Sequence, residues 1–174
     1  MSETELIKKA IDCVDKIGVL PEIKDLQECG VSKDEALAFK ASEAYQSLKM
    51  IRQKYTKNRK DGFKTFAHFY DWYKAQNQKC HYCGTTQGEL EQLFDNDLVS
   101  SSKFNATLHI EQKIPKQGYN KDNCVLSCAL CNNAKSDMIN YENFKTYFKK
   151  SMQSFIKDLL SGKITNNIKG QIDE

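Results

Sequence analysis

Apolar residues recur at helical spacing near both ends of the chain. Near the N-terminus, "ETELIKKAIDCVDKI" predicts an amphipathic helix whose apolar face is formed by Leu6, Ala10, Cys13, Val14 and Ile17. Near the C-terminus, an apolar stripe of about five turns follows alternating steps of three and four residues. It consists of Tyr141, Phe144, Phe148, Met152, Phe155 and Leu159. This stripe predicts one long helix that packs on the rest of the chain and leaves Lys145, Lys149 and Lys150 outside.

Between residues 20 and 78 the pattern predicts further helices. "EIKDLQECG" is a short helix that Gly30 is placed to end, and Ser32 is placed to cap the helix of "SKDEALAFKASEAYQSLKMIRQKY". A short helix, a turn with glycine and a second helix form the outline of a helix-turn-helix, although an ordinary helical hairpin fits equally well. "DGFKTFAHFYDWYKAQNQ" predicts one more helix with aromatic residues that pack in the core. They are Phe63, Phe66, Phe69, Tyr70 and Tyr73.

The period changes in the centre of the chain. "ATLHIEQ" predicts a strand, "PKQGYN" a loop, "NCVLS" a return to ordered structure and "ALCNNAKSDM" a short helix. We therefore predict an α+β fold that is mostly helical. Residues 1–60 form a helical region that is a candidate for DNA binding, residues 61–163 form a second domain with the C-terminal helix, and residues 164–174 form a polar tail.

Composition and charge narrow the class of protein. With 174 residues, 40% of them apolar, the chain has room for one compact domain, or one with a small appendage. No apolar run approaches the roughly 18 residues of a membrane span, and the N-terminus lacks the apolar core of a signal peptide. We therefore expect an intracellular protein, in which clustered cysteines indicate metal binding more than disulfides.

The net charge of +3 is too small to indicate nucleic acid by itself, but the charge is unevenly distributed. "KMIRQKYTKNRKDGFK", residues 49–64, carries seven basic residues against one acid. A stripe that faces a polyanion and a solvated helix face or linker both explain this run. If the stripe binds DNA, the candidate contacts are Arg52, Lys54, Lys57, Arg59 and Lys60, with Lys33 at the start of the second helix.

Four of the seven cysteines form two C-x-x-C pairs, "CHYC" and "CALC". The members are Cys80, Cys83, Cys128 and Cys131. Two intervening residues allow a tight turn to direct both thiolates at one metal, and four thiolates suit a closed tetrahedral zinc site with a structural role. The other three cysteines lack partners at ligand spacing and are expected to be small buried apolar residues. These are Cys13, Cys29 and Cys124.

The segment "LHIEQKIPKQGYNKDNCVLSCALCNNAKSD" and the cysteines before it resemble the zinc-stabilised HNH, or ββα-metal, nuclease motif over residues 79–140. The family pattern is C-x-x-C, an acid-His pair before I-x-P, a loop with glycine, an Asn, and C-x-x-C-N-x-x-K. The resemblance implies that Glu111 and Asn132 bind a catalytic divalent cation such as Mg²⁺. It also implies that Asn123 braces the loop and that Lys135 contacts a phosphate.

Gln112 stands where the family has the His that activates water. Because an amide is not a useful base, three explanations are open. In the first, the chain is inactive, naturally or by a deliberate change of His to Gln. In the second, His109, on the same strand face as Glu111, acts as the base. In the third, water loses its proton without a side-chain base while Gln112 orients it. His109 is otherwise a supporting or packing residue.

The resemblance implies a site-specific DNA endonuclease of the restriction or homing type, acting on double-stranded DNA and often as a homodimer. The alternatives are a non-catalytic zinc-stabilised protein that binds DNA or RNA, and a zinc-ribbon adaptor that binds proteins. Metal-dependent nicking of a plasmid separates the first class from the second. The adaptor would show neither cleavage nor a steep salt dependence of DNA binding.

Overall fold

The computed structural model describes residues 1–55, 57–100 and 105–166, which form ten helices and a two-stranded antiparallel sheet. The predicted α+β, mostly helical class is confirmed. The helices are α1 Glu3–Ile17, α2 Ile23–Glu28, α3 Lys33–Ala41, α4 Glu43–Lys54, α5 Lys57–Phe63, α6 Phe66–Lys74, α7 Gln87–Asp95, α8 Ala129–Lys135, α9 Tyr141–Tyr147 and α10 Lys149–Leu160. The strands are β1 His109–Gln112 and β2 Cys124–Ser127. Every helix in these ranges falls short of the length and apolarity needed to cross a membrane.

The chain divides into two compact units. Among the described residues, the helical unit contains those of 1–75 and 119–121, and the sheet unit contains those of 76–118 and 122–166. The helical unit runs past the predicted limit at residue 60 because Phe66 and Phe69 of α6 are fully buried and α6 packs on α1. The division into functional domains, including the polar tail after residue 163, stays a prediction.

Local capping signals set the ends of several helices in the helical unit. Ser32 caps α3 in a reciprocal capping box with Glu35, and Gly30 adopts a φ of 76° after α2, as predicted. The predicted helix after Ser32 is nevertheless two helices, because the extended backbone of Ser42 ends α3 and begins α4. The Ser42 hydroxyl donates to Phe39 O and accepts from Tyr45 N.

The aromatic segment also contains a break that the periodicity did not predict. Phe63 ends α5, and Thr65 caps α6 by accepting a hydrogen bond from His68 N, so Phe63 lies on a different helix from Phe66. The prediction that these rings build the core is confirmed. Phe69 lies 5.1 Å from both the Tyr55 and Phe63 ring centroids. Tyr70 is the most exposed of the predicted aromatic set and is half-buried.

The helical unit contains a disulfide between Cys13 of α1 and Cys29 at the end of α2. The expectation that both are unpaired apolar residues was therefore wrong. The two positions meet because α1 packs against α2, and this tertiary contact has no counterpart in the spacing of the cysteines. Cys124 is buried and forms no disulfide with the described residues, as expected.

Residues 119–121 return to the helical unit in the middle of the β1–β2 connection. Gly62 of α5 packs so closely on this segment that an added Cβ would lie 1.6 Å from Tyr119 O. The Arg59 guanidinium also lies over the Tyr119 ring, 5.1 Å from its centroid. Only glycine fits at position 62 without moving the backbone of residue 119.

The apolar stripe at the C-terminus forms two helices instead of one. Phe148 interrupts it with φ −108° and ψ −21°, while Phe148 N still donates to Phe144 O and Met152 N to Phe148 O. Phe144 is fully buried, whereas Phe148 and Phe155 remain partly exposed. The stripe therefore packs in the sheet unit mainly through Phe144 and Leu159, and Ile156, which the predicted stripe did not include, is buried as well.

Candidate functional site

The first cysteine pair lies in a tight turn. Gly84 N donates to Cys80 O and Cys80 N donates to Thr85 O, both at 2.8 Å. Gly84 has a φ of 79°, which closes the turn after Cys83 in a conformation that favours glycine. The turn places the Cys80 and Cys83 side chains together in the interior of the sheet unit.

The second pair begins α8. The extended backbone of Cys128 places it at the N-cap, where its Sγ accepts from Cys131 N at 3.4 Å and its carbonyl accepts from Asn132 N at 2.9 Å. A cysteine at the N-cap and another at the third helical position direct their sulfurs to the same side of the helix terminus. The two C-x-x-C pairs thus use different local structures, a turn and a helix start.

All four cysteines are buried, and their Sγ atoms lie within 4.8 Å of one another. The Cys83 and Cys128 sulfurs are 3.7 Å apart, close to the roughly 3.8 Å edge of a tetrahedron with Zn–S bonds of about 2.3 Å. Hydrogen bonds from Cys128 and Cys131 lower the thiol pKa of Cys80 and of Cys83, while the pKa of the Cys128 and Cys131 thiols is raised. The predicted cluster is assembled, and it could bind zinc.

The cysteine turn is attached to the sheet, and the sheet carries the candidate carboxylate. His81 N donates to Leu126 O of β2 at 2.8 Å. In the antiparallel register Glu111 is opposite Val125 and Gln112 is opposite Cys124. The cluster therefore lies at the C-terminal end of β2, and β2 pairs with β1, which carries Glu111.

Glu111 and Lys135 form a buried ion pair. Their side chains are 7% and 1% exposed, and Lys135 Nζ lies 2.8 Å from Glu111 Oε1. Apart from this ion pair, neither Glu111 oxygen has a hydrogen-bond partner among the described residues. Burial raises the pKa of the Glu111 carboxyl, and the Lys135 ammonium partly offsets this rise. The fully buried Tyr82 has its own pKa raised by burial and by the neighbouring Glu111.

The resemblance implies that Lys135 contacts a phosphate, but its side chain is buried and does not face solvent. Its ammonium donates to Gln112 O at 3.3 Å and to Ser136 O at 3.2 Å, in addition to pairing with Glu111. α8 is therefore joined to β1 through the lysine that the resemblance assigned to DNA. A phosphate contact of Lys135 stays a prediction and requires this ammonium to leave the carboxylate.

The Gln112 side chain is engaged by the loop that follows β1. Lys116 N donates to Gln112 Oε1 at 3.2 Å, and Lys116 has a φ of 68°. Because a backbone N–H requires an acceptor, the amide oxygen must face Lys116, and the NH₂ group is left for other contacts. Gln112 is half-buried.

Asn123 holds the same loop through three hydrogen bonds. Its Oδ1 accepts from Ile114 N at 3.0 Å, and its Nδ2 donates to Ile114 O at 3.0 Å and to Gly118 O at 2.9 Å. Asn123 thus holds the loop between β1 and β2, and its role in an active site stays a prediction. His109 is half-buried and is opposite Ser127 in the sheet.

Asn132 is half-buried on α8, three residues before Lys135. Residues three apart share a helix face, and the contacts of Lys135 place this face against β1. The roles predicted for Asn132 as a metal ligand and for His109 as a base stay predictions.

Several residues of the basic run in the helical unit make internal contacts. Arg52 donates to Gly18 O and, at 3.3 Å, to Tyr55 O, and Arg59 donates to Lys54 O. Burial and the nearby Arg59 lower the pKa of half-buried Lys54. The side chains of Lys57 and Lys60 lie outside the described residues, whereas Lys33 is exposed. DNA binding by this run stays a prediction.

A second basic surface, in the sheet unit, was not predicted from the sequence. Lys113, Lys145 and Lys149 gather around Tyr141 and His81, and we call this group the Tyr141 surface. Burial and the three lysines lower the pKa of the His81 imidazole. The only sequence signal was that Lys145 and Lys149 flank the apolar stripe. Nothing local to Lys113 or His81 indicates that they join them.

Neither the known protein-family models nor the curated proteins contain a match to this sequence. Among solved structures, the chain is similar to the rare-cutting HNH restriction endonuclease PacI, in a structure described in terms of DNA perturbation. The identity is 18%, the alignment covers 65% of this chain and 78% of that chain, and the TM-score is 0.49. The function of this chain is therefore inferred from its own residues.

Proposed function

We propose that this chain is a metal-dependent DNA endonuclease whose active site is built around Glu111. The observation that carries this proposal is the buried Glu111 carboxylate, which is paired with Lys135 and lies on a strand beside a cluster of four cysteines. Burying a carboxylate is costly unless a cation compensates it, and such an arrangement is more typical of a site than of a core.

The donor set fits a hard divalent cation. Glu111 offers carboxylate oxygens, and Asn132 offers an amide oxygen from the helix face that Lys135 holds against β1. Bound there, Mg²⁺ or a similar cation would stabilise negative charge on the scissile phosphate and its leaving oxygen. Lys135 is the positive charge that stands beside Glu111 in this structure.

Gln112 orients water or a phosphate oxygen in this proposal. Since its amide oxygen faces Lys116 N, the group available for substrate is an NH₂ donor, which cannot accept a proton. Asn123 supports this position by holding the loop from Ile114 to Gly118. His109, two residues from Glu111 on the same strand face, is the candidate for a general base.

The cysteine cluster has a structural role in the proposal. Four thiolates complete a tetrahedral zinc site and leave no position for substrate. Zinc would join the Cys80–Cys83 turn to the start of α8, and so hold the two elements on either side of β2. Zinc and the catalytic cation therefore occupy separate sites, whose loss has different consequences.

The test is cleavage of supercoiled plasmid in the presence of Mg²⁺ or Mn²⁺. Glu111→Ala should abolish nicking, because it removes the carboxylate proposed to hold the catalytic cation. It also leaves Lys135 buried without its partner, so zinc content and DNA binding are measured at a temperature at which the variant is folded, and both should persist there. Glu91→Ala, which removes an exposed acid of the same unit, is the matched control and should cut like the parent. If Glu111→Ala cuts as fast as the parent, the proposed active site is wrong.

Substitutions at positions 112 and 109 identify the base. Gln112→His should keep or raise the cleavage rate, since a positioned base contributes about 10²- to 10⁴-fold. Gln112→Ala should lower the rate if the amide orients water. A comparable loss in His109→Ala would identify His109 as the base, and an unchanged rate would leave it as a packing residue.

One observation favours a second candidate, a non-catalytic zinc-stabilised protein that binds nucleic acid. The Lys135 ammonium already compensates Glu111, and the residue in the usual place of the base is an amide. Such a protein would shift DNA in a gel and never nick it, with any divalent cation and with Gln112→His. The homodimer predicted for the endonuclease is tested separately, by sedimentation with and without duplex DNA.

A further inference from the structure

The Tyr141 surface is an aromatic pair surrounded by cations. The His81 and Tyr141 rings are stacked, with centroids 5.5 Å apart and an angle of 30° between their planes. His81 Nε2 lies 3.1 Å from the Tyr141 hydroxyl, which also accepts a hydrogen bond from Lys145 Nζ at 3.3 Å. The Nζ atoms of Lys113 and Lys145 lie 5.8 and 5.5 Å from the Tyr141 ring centroid. These contacts hold two ammonium groups over one phenol ring.

A third lysine joins the group from α10. Lys149 lines a cavity of about 260 Å³ together with Lys79, His81 and the Cys80 thiol, and no Asp or Glu lies among its wall residues. Over the described part of the chain, no carboxylate lies within ion-pair distance of Lys113, Lys145 or Lys149. Like charges gathered without counter-ions repel one another, and a bound polyanion would relieve the repulsion.

The Tyr141 surface adjoins the Glu111 site through a single side chain. The Tyr82 ring lies 6.1 Å from the Tyr141 ring and is close enough to Glu111 for the carboxylate to perturb its hydroxyl. Lys113 directly follows β1, and its N–H donates to Asn123 O at 2.7 Å. Tyr82 is fully buried, so the surface and Glu111 are neighbours through the core, and Lys113 is two residues from Glu111 along the chain.

We infer that the Tyr141 surface binds backbone phosphates of duplex DNA beside the Glu111 site. The inference rests on the proposed endonuclease function and specifies where that function grips its substrate. Lysines supply the cations, and the stacked rings keep two of them in place and reduce the entropy lost on binding. Phosphate contacts of this kind position DNA without reading its sequence.

The test is the salt dependence of affinity for a fluorescent duplex, measured by anisotropy on zinc-loaded protein without added divalent cation. Lys113→Gln/Lys145→Gln/Lys149→Gln should bind at least about tenfold more weakly at 0.1 M salt. It should also lower the slope of log K against log salt concentration by about 2 to 3, since each lost phosphate contact contributes about 0.9. Zinc content and the far-ultraviolet circular dichroism should match the parent.

The matched control is Lys8→Gln/Lys16→Gln/Lys157→Gln, which removes the same charge at exposed positions elsewhere. Its slope should stay near that of the parent, and an equal loss in both triple variants would overturn the inference. If the main triple variant does not fold, Lys113→Gln and Lys149→Gln are measured singly. Each should lower the slope by about 1, and unchanged slopes overturn the inference.

Failure of the inference and failure of the proposed function give different results. If the unmodified protein nicks DNA and the triple variant keeps its full salt slope, the protein is an endonuclease that binds DNA at another surface. If the unmodified protein binds duplex DNA through these lysines and never nicks it, the inference about the Tyr141 surface holds and the proposed endonuclease activity is wrong. Weak binding of duplex together with strong binding of single-stranded RNA would overturn the assignment of DNA.

Discussion

The two compact units differ in the partners of several of their long basic side chains. In the helical unit, long basic side chains satisfy carbonyls at helix ends: Lys9 donates to Cys29 O at 2.6 Å and to Gly30 O at 3.2 Å, and Arg52 donates to Gly18 O. In the sheet unit, Lys135 is buried against a carboxylate, whereas Lys113 and Lys145 have no ion-pair partner among the described residues.

The cores of the two units also differ in the polarity of the side chains they bury. The helical unit buries apolar and aromatic side chains, with reciprocal capping boxes at the starts of its helices. The sheet unit buries polar groups as well, including Glu111, Asn123 and Ser127, around four thiols and only two short strands. A basic residue in the sequence is therefore a weak indication of a binding surface until its partner is known. A small core rich in polar groups indicates dependence on a metal.

Removing zinc should have the largest effect and should separate the units. We expect Cys131→Ser, or chelation, to unfold the sheet unit, because structural zinc contributes roughly 10–16 kcal/mol to folding. The helical unit should keep its α-helical circular dichroism, since its core contains none of the four thiols. Limited proteolysis should leave a protected fragment that ends near Ala75. Zinc analysis and peptide mapping by mass spectrometry measure both results.

Cys124→Ser is the matched control for zinc removal, because Cys124 is buried in the same unit and is not part of the cluster. It should retain one zinc per chain and a folded sheet unit. If Cys131→Ser also retains zinc and structure, the sheet unit does not depend on the metal, and the contrast between the cores fails.

Breaking the buried ion pair should have the next largest effect. Lys135→Met leaves Glu111 buried without its cation and should lower the free energy of unfolding of the sheet unit by about 3–5 kcal/mol. The double variant Glu111→Leu/Lys135→Met should recover most of that loss, because apolar side chains of similar volume replace such pairs at little cost. Urea unfolding of zinc-loaded protein measures both variants. If the single and double variants are equally unstable, the ion pair is not what Lys135 contributes.

Replacing Asp15 should have the smallest effect on stability of the changes considered, and this effect concerns the helical unit. Its carboxylate accepts from Phe66 N at 2.5 Å and from Ala67 N at 3.1 Å, so a residue of α1 caps the first turn of α6. Asp15→Ala should lower the stability of this unit by about 1–2 kcal/mol. Asp12→Ala, also exposed on α1, should lose much less in thermal unfolding. Equal losses would mean that the charge of α1, and not the cap, matters.

Features that depend on neighbours in sequence were predictable. A few neighbouring residues suffice to predict the capping box of Ser32 and Glu35, the turn at Gly30 and the C-x-x-C pairs. The breaks at Ser42 and Thr65 were missed because each lies inside a longer run with helical periodicity, where capping competes with continuation. Both residues are ordinary helix caps, so the signal was present but was outweighed by the apolar pattern.

Features that depend on residues far apart in sequence were not predictable. The pairing of Cys13 with Cys29, the burial of Lys135 against Glu111 and the gathering of lysines at Tyr141 each require tertiary packing. The resemblance to the HNH motif named Glu111 and Lys135 separately, and their contact follows from the packing of α8 against β1. The basic run at residues 49–64 shows the same limit, because its arginines bind carbonyls of the helical unit.

The return of residues 119–121 to the helical unit bears on how such a protein can be rearranged in evolution or engineering. No single cut of the polypeptide releases an intact sheet unit, because a fragment that begins at residue 76 carries Tyr119 without Gly62. A fragment that ends at Ala75 lacks the segment whose backbone makes glycine obligatory at position 62. A functional transplant would have to carry both stretches.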